Sequence, residues 1–202
     1  MRSAKINGYQ GKFESSFLSC EKDTESIIKK LFVDSKPYSD MLKRLLIINT
    51  PDCLDDMTNQ VYNDKIKQTS VADLSKEGYV RLNPKITMGE NEEVKSYIVI
   101  SFDNFRPNET NPYYRDCTVM IDILCHTDYW DLGNYQMRPI KIVGYIDGIL
   151  NNAKLSGIGV LNFLTCKRNN LDENLSGYTL IYKAVHDVDG DDKIPSEESS
   201  LC

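Results

Sequence analysis

The residues best suited to chemistry are few and scattered. Asp122 and His126 fall four positions apart, Asp128 follows closely, and Asp103 and His186 are the other polar groups that neighbouring segments could bring near them. Together they could hold a divalent cation or serve as an acid/base pair for a metal-dependent hydrolase. The spacing argues against it. In an extended strand, positions i and i+4 are separated by about 13 Å, so Asp122 and His126 do not touch and any site would depend on partners from adjacent strands. The opposing expectation is a solvated sheet face or a subunit contact. Asp187-Val188-Asp189-Gly190-Asp191-Asp192 resembles a calcium loop only in its acidity. Its glycine falls at the fourth position, where an EF-hand needs it at the sixth, and an acidic tail is the better reading. Ser156-Gly157-Ile158-Gly159 is glycine-rich, but it follows a predicted helix and opens a strand. Its amides would therefore not converge on a phosphate at a helix N-terminus, and it reads as a helix-to-strand turn. No G-x-S-x-G, H-E-x-x-H or P-loop pattern occurs, and the expectation is a protein without catalysis or cofactor.

The elements that would position these residues follow from periodicity. Residues 1–22 are polar, with Gly8, Gly11 and scattered aromatic side chains, and read as a flexible N-terminal arm. Asp23 or Thr24 is expected to cap a short helix with Ile27, Ile28, Leu31 and Phe32 on one face. Pro37 opens a second helix carrying Tyr38, Met41, Leu42, Leu45 and Leu46, which Asn49-Thr50-Pro51 ends. Residues 52–79 have few apolar anchors and read as an irregular insert. Residues 80–87 suit an edge strand, because Pro84 is incompatible with a central one.

A more regular pattern begins at Ser96. Residues 96–105 and 115–127 alternate, with Ile98, Ile100 and Phe102 on one face and Val119, Ile121, Ile123 and Cys125 on the matching face, while residues 106–112 are dense in turn formers. These predict an antiparallel hairpin with an extended loop. Pro139 opens a helix to about Asn151 with Ile140, Val143, Ile146, Ile149 and Leu150 as its buried stripe. Strands over 160–167 and 178–186 follow, then an acidic, disordered tail over 187–202. The expected fold class is α+β: an antiparallel sheet of about four strands packed on one main helix, with extra short N-terminal helices, forming one domain over 23–186.

Composition narrows the function classes. Of 202 residues, 41% are hydrophobic and 27% charged, and no apolar run reaches the roughly 20 residues a membrane-spanning helix needs. The first twenty residues lack an apolar block, so no signal peptide is expected and the protein should be intracellular where it is made. The net charge of −6 and the dispersed Lys and Arg do not suit a general nucleic-acid binder, which carries a basic stripe. None of the six cysteines forms a C-x-x-C pair, so they are read as reduced, buried small hydrophobes rather than zinc ligands. Two aromatic pairs stand out, Tyr113-Tyr114 beside Arg115 and Tyr129-Trp130, since Tyr, Trp and Arg dominate interface energetics. With the turn residues Asn108, Glu109 and Asn111, these form the candidate contact surface for a subunit or partner. The opposing expectation is that one member of each aromatic pair seals the edge of the core.

The wording of this region resembles the tail-terminator, or head–tail joining, proteins of long-tailed bacterial viruses. The residues that carry the resemblance are, in order, the run 97–105, the turn 107–112, Arg115-Asp116, the run 122–126, Trp130-Asp131-Leu132-Gly133, Arg138-Pro139, Ile146-Asp147, the run 155–159, Gly177-Tyr178 and Tyr182. They cover about half the chain. The resemblance implies a homo-oligomeric ring, usually of six subunits, that caps the tail tube, touches the tail tube protein on one side and a head connector or stopper protein on the other, and lets DNA pass through its lumen without specific binding. It implies a virion location after synthesis in the cytoplasm of a host bacterium, and no catalytic residues. The long N-terminal region and the 52–79 segment depart from compact members of that family, and the alternatives to this structural role are the metal-dependent hydrolase above and a small binding module.

Overall fold

The computed structural model describes residues 20–55, 59–82, 95–110, 114–171 and 173–187. The expected arm, most of the expected 80–87 edge strand, the end of the hairpin loop and the acidic tail lie largely or wholly outside those residues. A five-stranded sheet organises the rest. Its strands are β1 (Val80–Arg81), β2 (Tyr97–Pro107), β3 (Tyr114–His126), β6 (Asn162–Asn170) and β7 (Leu175–Asp187), in the order β1-β2-β3-β7-β6. All pairings are antiparallel except β1 with β2. The helix α5 (Arg138–Leu150) packs on β3 and β7, and β4 (Lys154–Leu155) and β5 (Gly159–Val160) form a small hairpin beside it. The α+β architecture expected from the sequence is therefore the one found, with β1 as a short fifth strand.

The alternation that predicted β2 and β3 decides which face meets the helices. Ile98, Ile100, Val119, Ile121, Ile123, Cys125, Leu180 and Tyr182 are buried in one cluster with Ile142, Ile146, Ile149 and Leu150 of α5. Helices α1 (Cys20–Lys29, prolonged by a π turn over Lys30–Asp34) and α2 (Tyr38–Ile47) complete this layer through Ile27, Leu31, Phe32, Leu42, Leu45 and Leu46. On the other face of the sheet, Tyr97, Leu124 and Leu175 form a small separate cluster, with the Arg81 guanidinium 4.3 Å from the Tyr97 ring centre.

Four details differ from the sequence reading. Helix α1 starts at Cys20, so Asp23 is not its cap. Asp23 is fully buried one turn inside the helix, beside Gly157, where a Cβ would collide with its carboxylate. The 52–79 segment is not irregular: α3 (Gln60–Gln68) and α4 (Val71–Lys76) fill much of it. Their start signals are Asn59, whose side chain accepts from the Tyr62 amide, and a reciprocal capping box between Ser70 and Asp73. These helices bury only Ile66 and Leu74, which is why apolar periodicity missed them. The stripe of α5 is rotated from the expected one: Ile142 is buried where Ile140 was expected, and Ile140 is 40% exposed. Arg138 sets this phase, because it is buried at the first turn, and Ile142, Ile146 and Ile149 follow it on the same face. Finally, β6 extends to Asn170 and β7 starts at Leu175, so the last hairpin is longer than the turn residues suggested.

Candidate functional site

Strand β3 carries a loop at each end, and the candidate surface residues divide between them. At the β2–β3 end, Asn108 organises the visible part of the turn. Its Nδ2 donates to Asp116 at 2.7 Å, its Oδ1 accepts from the Thr110 amide at 3.0 Å and from the Thr110 hydroxyl at 2.7 Å, and its amide donates to the Tyr114 carbonyl at 3.1 Å. Glu109 beside it is exposed, and Tyr114 and Arg115 are half-buried at the start of β3. Asn111 and Tyr113 lie outside the described residues. The described base of the turn is thus braced by side-chain bonds to β3 and within the turn.

At the opposite end, β3 passes through a single 3-10 turn (Thr127–Tyr129) into Trp130. The indole packs against the main core, and its Nε1 donates to the Cys125 carbonyl at 3.2 Å. Arg168 of β6 lies 5.9 Å from the ring centre. Trp130 therefore seals the core edge as well as showing part of its face, and Tyr129 is half-buried next to it. The anchor for this end is Arg138. Its guanidinium is fully buried and donates to the carbonyls of Tyr129 (2.7 Å), Leu45 (2.7 Å), Ile48 (2.9 Å) and Thr50 (2.9 Å). One side chain thereby ties the exit of β3 to the C-terminal end of α2, where helix carbonyls lack intrahelical partners. A second buried arginine, Arg44, bonds the Cys53 carbonyl at 3.2 Å and the Asn63 side chain, which fixes α3 to the same end of α2. Sequence reading missed both arginines as structural groups. The only signal was Arg138 next to Pro139 at a helix start.

The residues of the hydrolase reading do not converge. Asp103 is exposed and opposite Thr118, four positions along β3 from Asp122. Asp122 accepts from the Thr179 hydroxyl and from Asn169 Nδ2 at 3.2 Å, which satisfies it within the sheet face. His126 Nδ1 accepts from the Asp128 amide at 3.3 Å and lies 3.5 Å from an Asp128 carboxylate oxygen. His186 is in register with Arg115, at the far end of the strand pair from His126. Among the described residues, no group of three or more His, Cys, Asp or Glu side chains could hold a metal ion.

In the described cysteines the thiol is held above its ordinary pKa. Burial pushes Cys117 up to about 12, with the nearby Asp23 and Cys20 adding to the shift, and pushes Cys125 up to about 11. Burial also raises Cys53 and Cys166, although Cys166 is exposed on β6. A shallow groove of about 400 Å³ runs along α5, lined by Tyr38, Ile140, Lys141, Gly144, Tyr145 and Gly148. It holds no nucleophile next to a base. No described helix is long and apolar enough to cross a membrane.

Comparison with known proteins adds the following. No curated protein matches the chain in sequence. Among solved structures, a chain of the virion of a native gene transfer agent particle superposes with a TM-score of 0.39 at 14% identity, covering 62% of this chain and 90% of that one. The profile of a phage-associated family, YomW, matches residues 39–184, from the start of α2 to near the end of β7 and well over half of the chain, and the protein belongs to the YomW family.

Proposed function

We propose that this protein is a structural component of the virion of a bacterial virus, and within it a subunit of the ring that closes the tail tube and joins it to the head connector. Membership of a phage-associated family supports the virion role. The observation that carries the finer reading is the disposition of the two loop regions on β3. The strand is 13 residues long, so the Asn108–Glu109 turn and the Tyr129–Trp130 turn stand about 40 Å apart on one rigid rod. A ring component that touches one neighbour above and another below needs two such ends, each braced, and the side-chain bonds of Asn108 and Arg138 supply the bracing.

On this reading the function is a matter of shape and contact, without turnover. The tail tube protein docks at one end and the connector at the other, while copies of the same chain meet at the sides. A rotational ring uses heterologous contacts, in which two different side surfaces of each subunit meet. The excess of carboxylates, with a net charge of −6, keeps the ring from gripping the DNA that passes through it.

The test is the mass of the purified protein in solution, with negative-stain images. A closed particle near six times the 23.1 kDa subunit mass supports the ring. A monomer that also fails to join purified tails when mixed with them overturns it. Tight, strongly salt-dependent affinity for duplex DNA would overturn the account of the lumen.

A further inference from the structure

Among the described residues both edges of the sheet are open, and they match. At one edge, β6 is a nine-residue strand exposed along most of its length, with Lys167 and Arg168 and no acidic residue. At the other, β1 covers β2 only at Ile98 and Val99, so β2 from Ile100 onward has no further strand beside it among the described residues. The exposed carboxylate on that open stretch is Asp103. Unpaired edges of this length are templates for pairing with another chain unless something covers them.

We infer that copies of this protein join edge to edge, with β6 of one copy pairing antiparallel to β2 of the next so that Lys167 stands opposite Asp103. This rests on the ring reading above and names its lateral contact. Three features of the backbone agree with it. First, β2, β3, β7 and β6 alternate in direction, so β2 and β6 run oppositely. A neighbour generated by rotation about an axis along the strands keeps its direction and therefore presents β2 antiparallel to β6.

Second, the backbone groups are in phase. The Ile98 amide donates outward to the Tyr79 carbonyl at 2.8 Å, so by alternation Ile100 and Phe102 also point their backbone groups to the open edge. The Leu171 amide donates inward to the Leu175 carbonyl at 3.0 Å, so Asn169 and Lys167 bond β7 while Asn170 and Arg168 point outward. Setting Lys167 opposite Asp103 places Arg168 opposite Phe102 and Asn170 opposite Ile100, and the outward groups meet as hydrogen-bonded pairs. Lys167 and Asp103 then form a non-hydrogen-bonded pair, the kind with about 4.5 Å between Cα atoms.

Third, the side chains fall on the same face. Lys167 is in register with Thr179 and through it with Asp122, Asp103 is in register with Thr118, and Thr118 and Asp122 share a face of β3. A directly opposed Lys–Asp pair is favourable across antiparallel strands. Pairing β6 with a second β6 about a two-fold axis would instead bring four basic side chains together with no acid among them.

The experiment is cysteine cross-linking in the full chain, with Cys166→Ser and Cys202→Ser as background. Asp103→Cys combined with Lys167→Cys, oxidised under assembly conditions, is expected to give a ladder of disulfide-linked oligomers ending at a closed species, and neither single substitution gives one. Lys167→Glu alone is expected to weaken assembly at least tenfold, and combining it with Asp103→Lys to restore it. Assembled rings with no cross-link overturn the edge pairing and leave the ring standing. A ladder that never closes, with no ring by mass, supports the pairing and overturns the ring. Dimers from Lys167→Cys alone overturn the pairing in favour of two β6 edges meeting.

Discussion

Replacing Arg138 by methionine should cost about 4 kcal/mol of folding stability. The guanidinium makes four hydrogen bonds of 2.7–2.9 Å, all to backbone carbonyls. Methionine keeps much of the apolar volume and removes the charge, so no unpaired cation is left buried. What remains are the acceptors. Those of Thr50 and Tyr129 sit on half-buried residues where water can replace the lost donor, whereas Leu45 and Ile48 are buried. Two buried orphan carbonyls at about 1–3 kcal/mol each give a range centred near 4 kcal/mol. In a chain of this size each kcal/mol moves the thermal midpoint by about 2–4 °C, so the expected fall is about 8–16 °C. Circular dichroism melting with a urea titration would measure it. Lysine at the same position should rescue little, because its single ammonium cannot span the end of α2 and the Tyr129 carbonyl together. A midpoint within about 3 °C of the parent for Arg138→Met would refute the claim that this side chain holds the exit of β3 to α2.

Three further outcomes follow from the packing. Gly177→Ala should be more damaging than an ordinary strand substitution: a Cβ there would overlap the Ile123 carbonyl oxygen and stand 2.9 Å from its carbon, so the β3–β7 ladder must open. A loss above about 3 kcal/mol, read by urea unfolding, is expected, and a neutral result would show that the strands are not so close. Stability should fall as pH rises above about 9. Burial and the neighbouring Asp147 raise the Tyr182 hydroxyl, and burial raises Cys117 and Cys125 to about 12 and 11. Each group stays protonated in the folded chain while its unfolded counterpart ionises, so the stabilisation is full below the unfolded values and is lost as pH rises through the folded ones. A melting midpoint flat from pH 8 to 11 would contradict this. Among the described cysteines, a maleimide at pH 7.5 should label Cys166 well before Cys53, Cys117 or Cys125, with peptide mapping as the readout; early labelling of Cys125 would mean that the core under α5 opens readily.

Strands β2 and β3 were readable from the sequence because one face of each is a run of Ile, Val and Cys at period two, and burial on that face leaves only one register. The same logic failed at α5. Its two faces both carry isoleucine, and the choice between Ile140 and Ile142 is made by Arg138, a charged residue that periodicity counts as outward-facing. Helices α3 and α4 were missed for the opposite reason. They bury little, and their existence rests on caps at Asn59 and Ser70 rather than on an apolar stripe. Of the candidate surface, Asn108 and Trp130 each bond back into the sheet and so brace the two ends of β3.

The sheet edges explain why composition said so little about function. A catalytic site announces itself in residue types, because chemistry needs particular side chains. A strand edge offers backbone amides and carbonyls that any sequence has, and its specificity lies in phase, direction and one or two charges. On the edge-pairing inference those are the outward alternation of Ile100, Phe102, Arg168 and Asn170, the opposed directions of β2 and β6, and the pair Asp103 and Lys167. Asp103 first drew attention as a metal ligand, yet the structure leaves it exposed on a strand that, among the described residues, has no further strand beside it from Ile100 onward. On that inference the carboxylate is one half of a contact whose other half, Lys167, lies on a second copy of the chain.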